Sequence, residues 1–332
     1  MAFAEPVFDI LGIGNAIVDV LASVEAGFPE TQEMAVGGMA LIDMARADQI
    51  EAMITPIQHT SGGSAANSCV VAQALGARVA YLGKVADDAA GAHFRRDIEA
   101  AGIAFPSTPL SGEAAAGRAT ARCIILVTPD GQRTMNTYLG ACTAFGEADV
   151  LAETVQAAAV IYLEGYLFDP PEAQQAFRRA ASLARAAGRK VALSLSDPFC
   201  VGRHRDAFRE LVAGDVDILF ANEEEILSLY ETSDFETAAR RAGAEVDIAV
   251  LTRSERGSVI IADGGRTMVG APPVHVVDTT GAGDAYAAGF LAGLTAGRPI
   301  AECGRIAAVA AAEIISHFGA RPVADLRKLA GI

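Results

Sequence analysis

Tryptophan is absent, aromatic residues amount to 6%, and the five cysteines (Cys69, Cys123, Cys142, Cys200 and Cys303) are odd in number, scattered and never spaced as Cys-x-x-Cys. That usage excludes a disulfide-stapled scaffold and a zinc ribbon, and it reads as reduced core thiols. Positive charge is scarce as well: 26 Lys and Arg stand against 41 Asp and Glu, a formal charge of −15. Such a surface repels polyanions, so nucleic acid is not expected as a partner. An anionic ligand would have to be held locally, by backbone N–H groups, a metal ion and a few arginines. No uncharged run reaches the ~18 residues of a membrane span, and Met1 to Pro6 carries no basic segment ahead of an apolar stretch. A cytoplasmic protein without a membrane partner is expected.

What is present is an ordinary α/β composition, with 52% hydrophobic residues, 20% charged residues and 33 glycines in 332 positions. β-Branched runs recur at Val7 to Ile13, Val79 to Leu82, Cys123 to Val127, Val160 to Leu163, Val191 to Leu195, Val216 to Phe220, Ile248 to Thr252 and Val259 to Ile261. Ala-rich stretches of helical length lie between many of them, for example Ser64 to Leu75, Pro171 to Ala187 and Glu223 to Leu229. This alternation predicts a doubly wound, mostly parallel sheet flanked by helices, with ligand crevices at the carboxyl ends of the strands. Residues 17–43 and 112–140 break the rhythm. They are Gly-rich, polar and irregular, and they predict a small β-lid inserted into a single domain spanning 1–332.

The most informative segment is Val277-Asp278-Thr279-Thr280-Gly281-Ala282-Gly283-Asp284, which follows an extended stretch and opens an Ala-rich helix. Glycines at 281 and 283 let the backbone turn tightly and aim several N–H groups into one concavity at a helix N-terminus, a cradle for an anion. A lone Asp at a helix start would merely complement the dipole. Beside a phosphate, Asp284 makes electrostatic sense as the acceptor of a proton from an attacking hydroxyl.

The string Asp-Thr-Thr-Gly-Ala-Gly-Asp closely resembles the second signature of the PfkB (ribokinase-like) carbohydrate and nucleoside kinases. The resemblance extends from Gly12 to about Ala320. It implies a ribokinase-like fold, ATP and Mg²⁺, and a small-molecule substrate, and in this family lid strands can also form a homodimer. Ser61-Gly62-Gly63-Ser64-Ala65-Ala66-Asn67 matches the other family signature, with Gly62 and Gly63 admitting substrate close to the backbone and Asn67 offering a donor and an acceptor to hydroxyl groups. Gly12-Ile13-Gly14-Asn15-Ala16-Ile17-Val18-Asp19 lacks the third glycine of a dinucleotide fingerprint. The resemblance instead makes Asn15 a substrate residue and Asp19 the receiver of two vicinal sugar hydroxyls.

Further matches carry the nucleotide. Asn222 and Glu225, one helical turn apart after a strand, resemble the family's Asn-x-x-Glu element, which would hold Mg²⁺ through waters. Thr252 and Gly257 match a nucleotide loop in which Ser254 replaces a glycine. Thr279 belongs to the cradle, and His317 and Gly319 fall in the stretch that resembles the adenine site of ATP. Where ribokinases commonly carry a Lys after the glycine pair, Ser64 stands here, and together with the lid stretch Thr128 to Gly140 this looks like adenosine kinase. Met39, Leu41, Tyr138, Tyr166 and Phe168 are the candidate apolar walls for a purine. Arg133, on the lid, would swing over the transferring phosphoryl group. The expectation is phosphorylation of the 5′-hydroxyl of adenosine. A sugar kinase for ribose or fructose, a kinase of another nucleoside, and a non-catalytic nucleoside binder stay open as alternatives.

Overall fold

The computed structural model describes residues 5–332, so residues 1–4 of the N-terminal reading lie outside it. Thirteen strands are described: β1 (Phe8–Ile13), β2 (Ile17–Ser23), β3 (Met39–Leu41), β4 (Gln58–Gly62), β5 (Val79–Leu82), β6 (Ala121–Val127), β7 (Arg133–Tyr138), β8 (Ala158–Glu164), β9 (Lys190–Ser194), β10 (Ile218–Asn222), β11 (Ile248–Thr252), β12 (Ser258–Ala262) and β13 (Gly265–Val269). Eight of them form one sheet in the order β13-β12-β11-β10-β9-β8-β1-β5. Every neighbouring pair from β5 to β11 is parallel, and only the β11–β12 and β12–β13 pairings are antiparallel.

The parallel strands are apolar throughout because both faces are covered. Ile10, Tyr81, Tyr162, Phe220 and Val250 join the core beneath the helices Ser64–Ala74, Ala282–Thr295 and Ile300–Ile314. Their neighbours Leu11, Leu82, Leu163, Leu219 and Leu251 face the opposite core, with Phe177, Phe208 and Phe235 from the helices on that side. The antiparallel edge follows from a two-residue turn, Asp263-Gly264, whose φ values of 52° and 69° match the twist of a tight hairpin. All five cysteines are free and buried. Among the described residues no helix is long and apolar enough to cross a membrane.

The irregular stretches supply β2, β3, β6 and β7 to a separate five-stranded sheet in the order β3-β7-β6-β2-β4. The run Cys123 to Val127, read above with the alternating strands of the main sheet, belongs to this second sheet. Its apolar continuity has a local cause, for the helix Met44–Glu51 lies against β6 and β7 and buries Ile124 and Leu126 with Ala47 and Ile50. Covering on both sides gives a small-sheet strand the look of a parallel core strand.

Candidate active site

Because β1, β8, β9, β10 and β11 are parallel, the residues that follow them gather at one edge, and two helix N-termini meet there. The helix Ser64–Ala74 starts after Gly63, whose φ of 98° no side chain adopts comfortably and where a Cβ would lie 2.0 Å from the carbonyl oxygen of Asn15. The helix Ala282–Thr295 starts after Gly281 at φ 79°, where a Cβ would lie 2.6 Å from the Ala320 methyl. The two helices pack together. Their first turns bring Ser64 Oγ to donate to Asp284 Oδ1 at 2.5 Å, while Asn67 Nδ2 stands 3.5 Å from Oδ2, a weak contact. Burial pushes the Asp284 carboxyl up to about 6, against the lowering effect of Ser64 and Asn67. A Cβ at Gly283 would meet nothing within 4 Å, so the backbone beside Asp284 faces open space.

A second carboxylate braces this junction. Glu164, 1% exposed at the end of β8, accepts from Asn15 N at 3.2 Å, Asn15 Nδ2 at 2.8 Å and Ala65 N at 2.7 Å. It thereby ties the turn after β1 to the first turn of the Ser64 helix. Burial raises its carboxyl to about 7, with those three donors lowering it.

Asp19 on β2 lies against Gly62, where a Cβ would come 2.2 Å from Oδ2. Arg133 on β7 pairs with Asp278 at 2.7 Å, with side chains 10% and 7% exposed, and its guanidinium lies 5.1 Å from the Phe318 ring. Asp278 also accepts from Thr280 N and Gly319 N, each at 3.0 Å. The lid arginine therefore sits beside the Gly281 turn, pinned to the segment that precedes it. Thr279 is exposed and its carbonyl accepts from Ala282 N. The Gly319 amide, expected at the nucleotide, is already spent on Asp278.

Asn222 and Glu225 form a reciprocal cap on the helix Glu223–Tyr230: Asn222 N and Nδ2 donate to the two carboxylate oxygens at 2.9 and 2.6 Å, and Asn222 Oδ1 accepts from Glu225 N at 2.8 Å. Burial raises the Glu225 carboxyl to about 7, with the Asn222 N–H lowering it. Among the described residues no group of three or more His, Cys, Asp or Glu could cage a metal ion. The hard oxygens of Glu225 and Asn222 nevertheless suit Mg²⁺ held chiefly by phosphates and water, since each carboxylate oxygen keeps a lone pair beyond the cap.

Thr252 is the last residue of β11, and Gly257 closes the turn to β12. In that turn Ser254 has φ 52°, a left-handed conformation that favours glycine and costs an L-residue about 1–2 kcal/mol. Ser254→Gly should therefore raise stability by up to about 1 kcal/mol in urea unfolding, after allowing for the added entropy of the unfolded glycine. A lower midpoint with an unchanged slope would show that the Ser254 hydroxyl contributes more than its backbone costs. His317 follows the helix Ile300–Ile314 instead of lying on it. The helix ends at Ile314, and His317 Nε2 reaches Glu313 Oε1 at 3.2 Å beside a groove of about 610 Å³ lined by Pro272, Pro273, Val274, Val309 and Val323.

The expected purine walls separate. Tyr166 follows β8 and is 37% exposed; partial burial, then the carboxylates of Asp197, Asp284, Glu225 and Glu164, hold its hydroxyl above the ordinary phenol range. Phe168 is fully buried and stacks on Phe208 at 4.4 Å, because the short turn Gly165–Phe168 directs it into the core. Tyr138 engages its own sheet, 5.9 Å from the Arg122 guanidinium with its hydroxyl 3.5 Å from Gly117 O, and Met39 and Leu41 are exposed on the edge strand β3. Phe199, 78% exposed at the start of the helix Pro198–Arg203 after β9, was not singled out from sequence. Neither were Glu164 and Arg321. An acidic residue closing an apolar strand was the available signal for Glu164, whereas nothing in the composition around Arg321 marks it.

A sequence model described as pfkB family carbohydrate kinase matches residues 32–326. A crystal structure of adenosine kinase from Sinorhizobium meliloti is 47% identical with a TM-score of 0.88, each chain covered to 98%. A probable sugar kinase protein from Rhizobium etli CFN 42 is 44% identical with a TM-score of 0.90, again with 98% of both chains covered. The cytidine kinase of Thermococcus kodakarensis is 30% identical over 78% of this chain and 88% of its own length.

Proposed function

Since the chain belongs to the pfkB family of carbohydrate kinases, ribokinase-like enzymes that transfer a phosphoryl group to a hydroxyl, we propose that it phosphorylates the 5′-hydroxyl of adenosine with ATP as donor. The observation that carries this reading is the Ser64–Asp284 hydrogen bond at the meeting of two helix N-termini. It leaves a neutral hydroxyl, and no lysine, beside the carboxylate. With Tyr166 and Phe199 exposed near the same edge, the site is suited to a flat base attached to a sugar.

In this mechanism Asp284 takes the hydroxyl proton and the Gly281 and Gly283 amides hold the phosphoryl oxygens, the Ala282 amide being turned to the Thr279 carbonyl. Asp19 and Asn67 orient the sugar, with Asn15 held in place by Glu164, and Arg133 stabilises charge on the transferring group. Closure of the second sheet excludes water, which would otherwise accept the phosphoryl group. Bound Mg²⁺ would neutralise charge on the donor phosphates, with Glu225 and Asn222 as the residues that would hold it. The groove beside His317 has the size and apolar lining for the adenine of ATP.

The relatives named above act on other acceptors as well, and a substrate panel separates the readings. ADP release with adenosine, cytidine, inosine, ribose and fructose should give the highest kcat/KM for adenosine, and ribose should fall by at least 10²-fold because the binding energy of the base is lost. Equal or greater kcat/KM for a free sugar or for cytidine would replace the adenosine assignment.

A further inference from the structure

The segment Phe318 to Arg321 crosses from the nucleotide side of the molecule to the sugar side. Phe318 lies against Arg133, Gly319 N donates to Asp278, and the Ala320 methyl fills the space beside Gly281. Arg321 then directs Nη2 to the carbonyl oxygen of Ser61 and, at 2.9 Å, to its Oγ. Ser61 is fully buried and fixed from the other side by Asp97 Oδ2, which accepts from its N at 2.7 Å and its Oγ at 2.6 Å. The next residue is Gly62, whose missing Cβ makes room for the Asp19 carboxylate. The Asp19 carboxylate has no hydrogen-bond or ion-pair partner among the described residues.

We propose that Arg321 is a positioning residue for the acceptor site: a fixed counter-charge that favours the ionised form of Asp19 while leaving both of its carboxylate oxygens free for a vicinal diol. The inference rests on the reading of Asp19 as the sugar receiver. A direct bidentate arginine pair would use up the oxygens that the hydroxyls need. Here Nη2 of the guanidinium donates to Ser61, Arg321 forms no ion pair with Asp19, and its charge reaches the carboxylate through space. The balance around Asp19 is consistent with that arrangement. Burial raises its carboxyl to about 7, Arg321 is the largest opposing influence, Arg133 on β7 is the next, and Asp284 pushes the other way. Cys123 on β6 also faces it as a neutral thiol, pushed up to about 12 by burial and by Asp19. Asp97 shares the charge of Arg321 through Ser61.

The test follows the Asp19 side chain directly, by NMR titration of protein labelled at aspartate Cγ, with the resonance assigned by its loss in Asp19→Asn. Arg321→Gln keeps a donor for Ser61 and removes the charge. Its Asp19 midpoint should rise by about 1 pH unit or more, and adenosine binding at pH 7 should weaken roughly fivefold as the ionised fraction falls. Arg321→Lys should stay near the native midpoint. Ser61→Ala, which loses the hydroxyl but not the charge, should leave the midpoint in place. An unmoved midpoint in folded Arg321→Gln, or an equal rise in Ser61→Ala, overturns the inference. Adenosine affinity unchanged in Asp19→Asn would instead overturn the reading of Asp19 as sugar receiver, while the titration still decides the role of Arg321.

Discussion

Asp284→Asn should lower kcat by about 10²–10⁴-fold, the usual contribution of a positioned general base, with the KM for ATP little changed. The geometry behind this expectation is a carboxylate in the first turn of the Ala282 helix, oriented by Ser64 and facing the open space beside Gly283. A general base works only when deprotonated, and burial pushes the Asp284 carboxyl up to about 6. In the native enzyme kcat/KM should therefore rise with pH through about 6, and that limb should vanish in the variant. Stability should move the other way. A carboxyl raised in the folded state binds more protons there than in the unfolded chain, so its contribution to stability falls as pH rises from about 4 to about 6 and stays at that lower level above. Asp284→Asn should consequently melt no lower than the native protein at pH 8. Near-native kcat would remove Asp284 from the role of base, and a large loss of melting temperature would mean that the carboxylate mainly holds the two helices together.

Arg133→Ala should cost about 10³-fold or more in kcat if the lid guanidinium stabilises the transferring phosphoryl group. The same change breaks a buried ion pair with Asp278, whose loss by itself is worth about 3–5 kcal/mol where no other partner remains. Asp278 retains two backbone donors, Thr280 N and Gly319 N, so the expected stability loss lies below that range. The two effects separate in the pair Arg133→Ala/Asp278→Asn. Neutralising Asp278 should recover part of the lost stability but none of the lost turnover. Single-turnover phosphoryl transfer by the double variant at native speed would reduce Arg133 to a latch that holds the lid against the Gly281 segment.

The ion pair also shows where reading along the chain stops. The string Asp278 to Asp284 announces its own turn, because glycines at 281 and 283 ahead of an Ala-rich helix have few other local solutions. Similarly, the paired glycines at 62 and 63 announce a backbone that something must approach closely. That the Arg133 guanidinium spends its charge on Asp278 depends on the second sheet folding down onto the first, a contact across 145 positions with no local trace.

Composition and local pattern by themselves determined the alternating architecture, the two glycine-opened helix starts and the identity of the acidic residue between them. These are short-range consequences: strands buried on both faces must be apolar, and a backbone at positive φ selects glycine. Tertiary structure alone decided which candidate walls stayed accessible, turning Phe168 into the core and leaving Phe199 outside it. It also spent the Gly319 amide on Asp278, and it brought Glu164 to the start of the Ser64 helix and Arg321 to Ser61. Each of those outcomes depends on which distant segment arrives to cover an apolar side chain or to satisfy a buried charge or polar group. Such pairing is a property of the assembled layers and leaves no periodic signal in the chain.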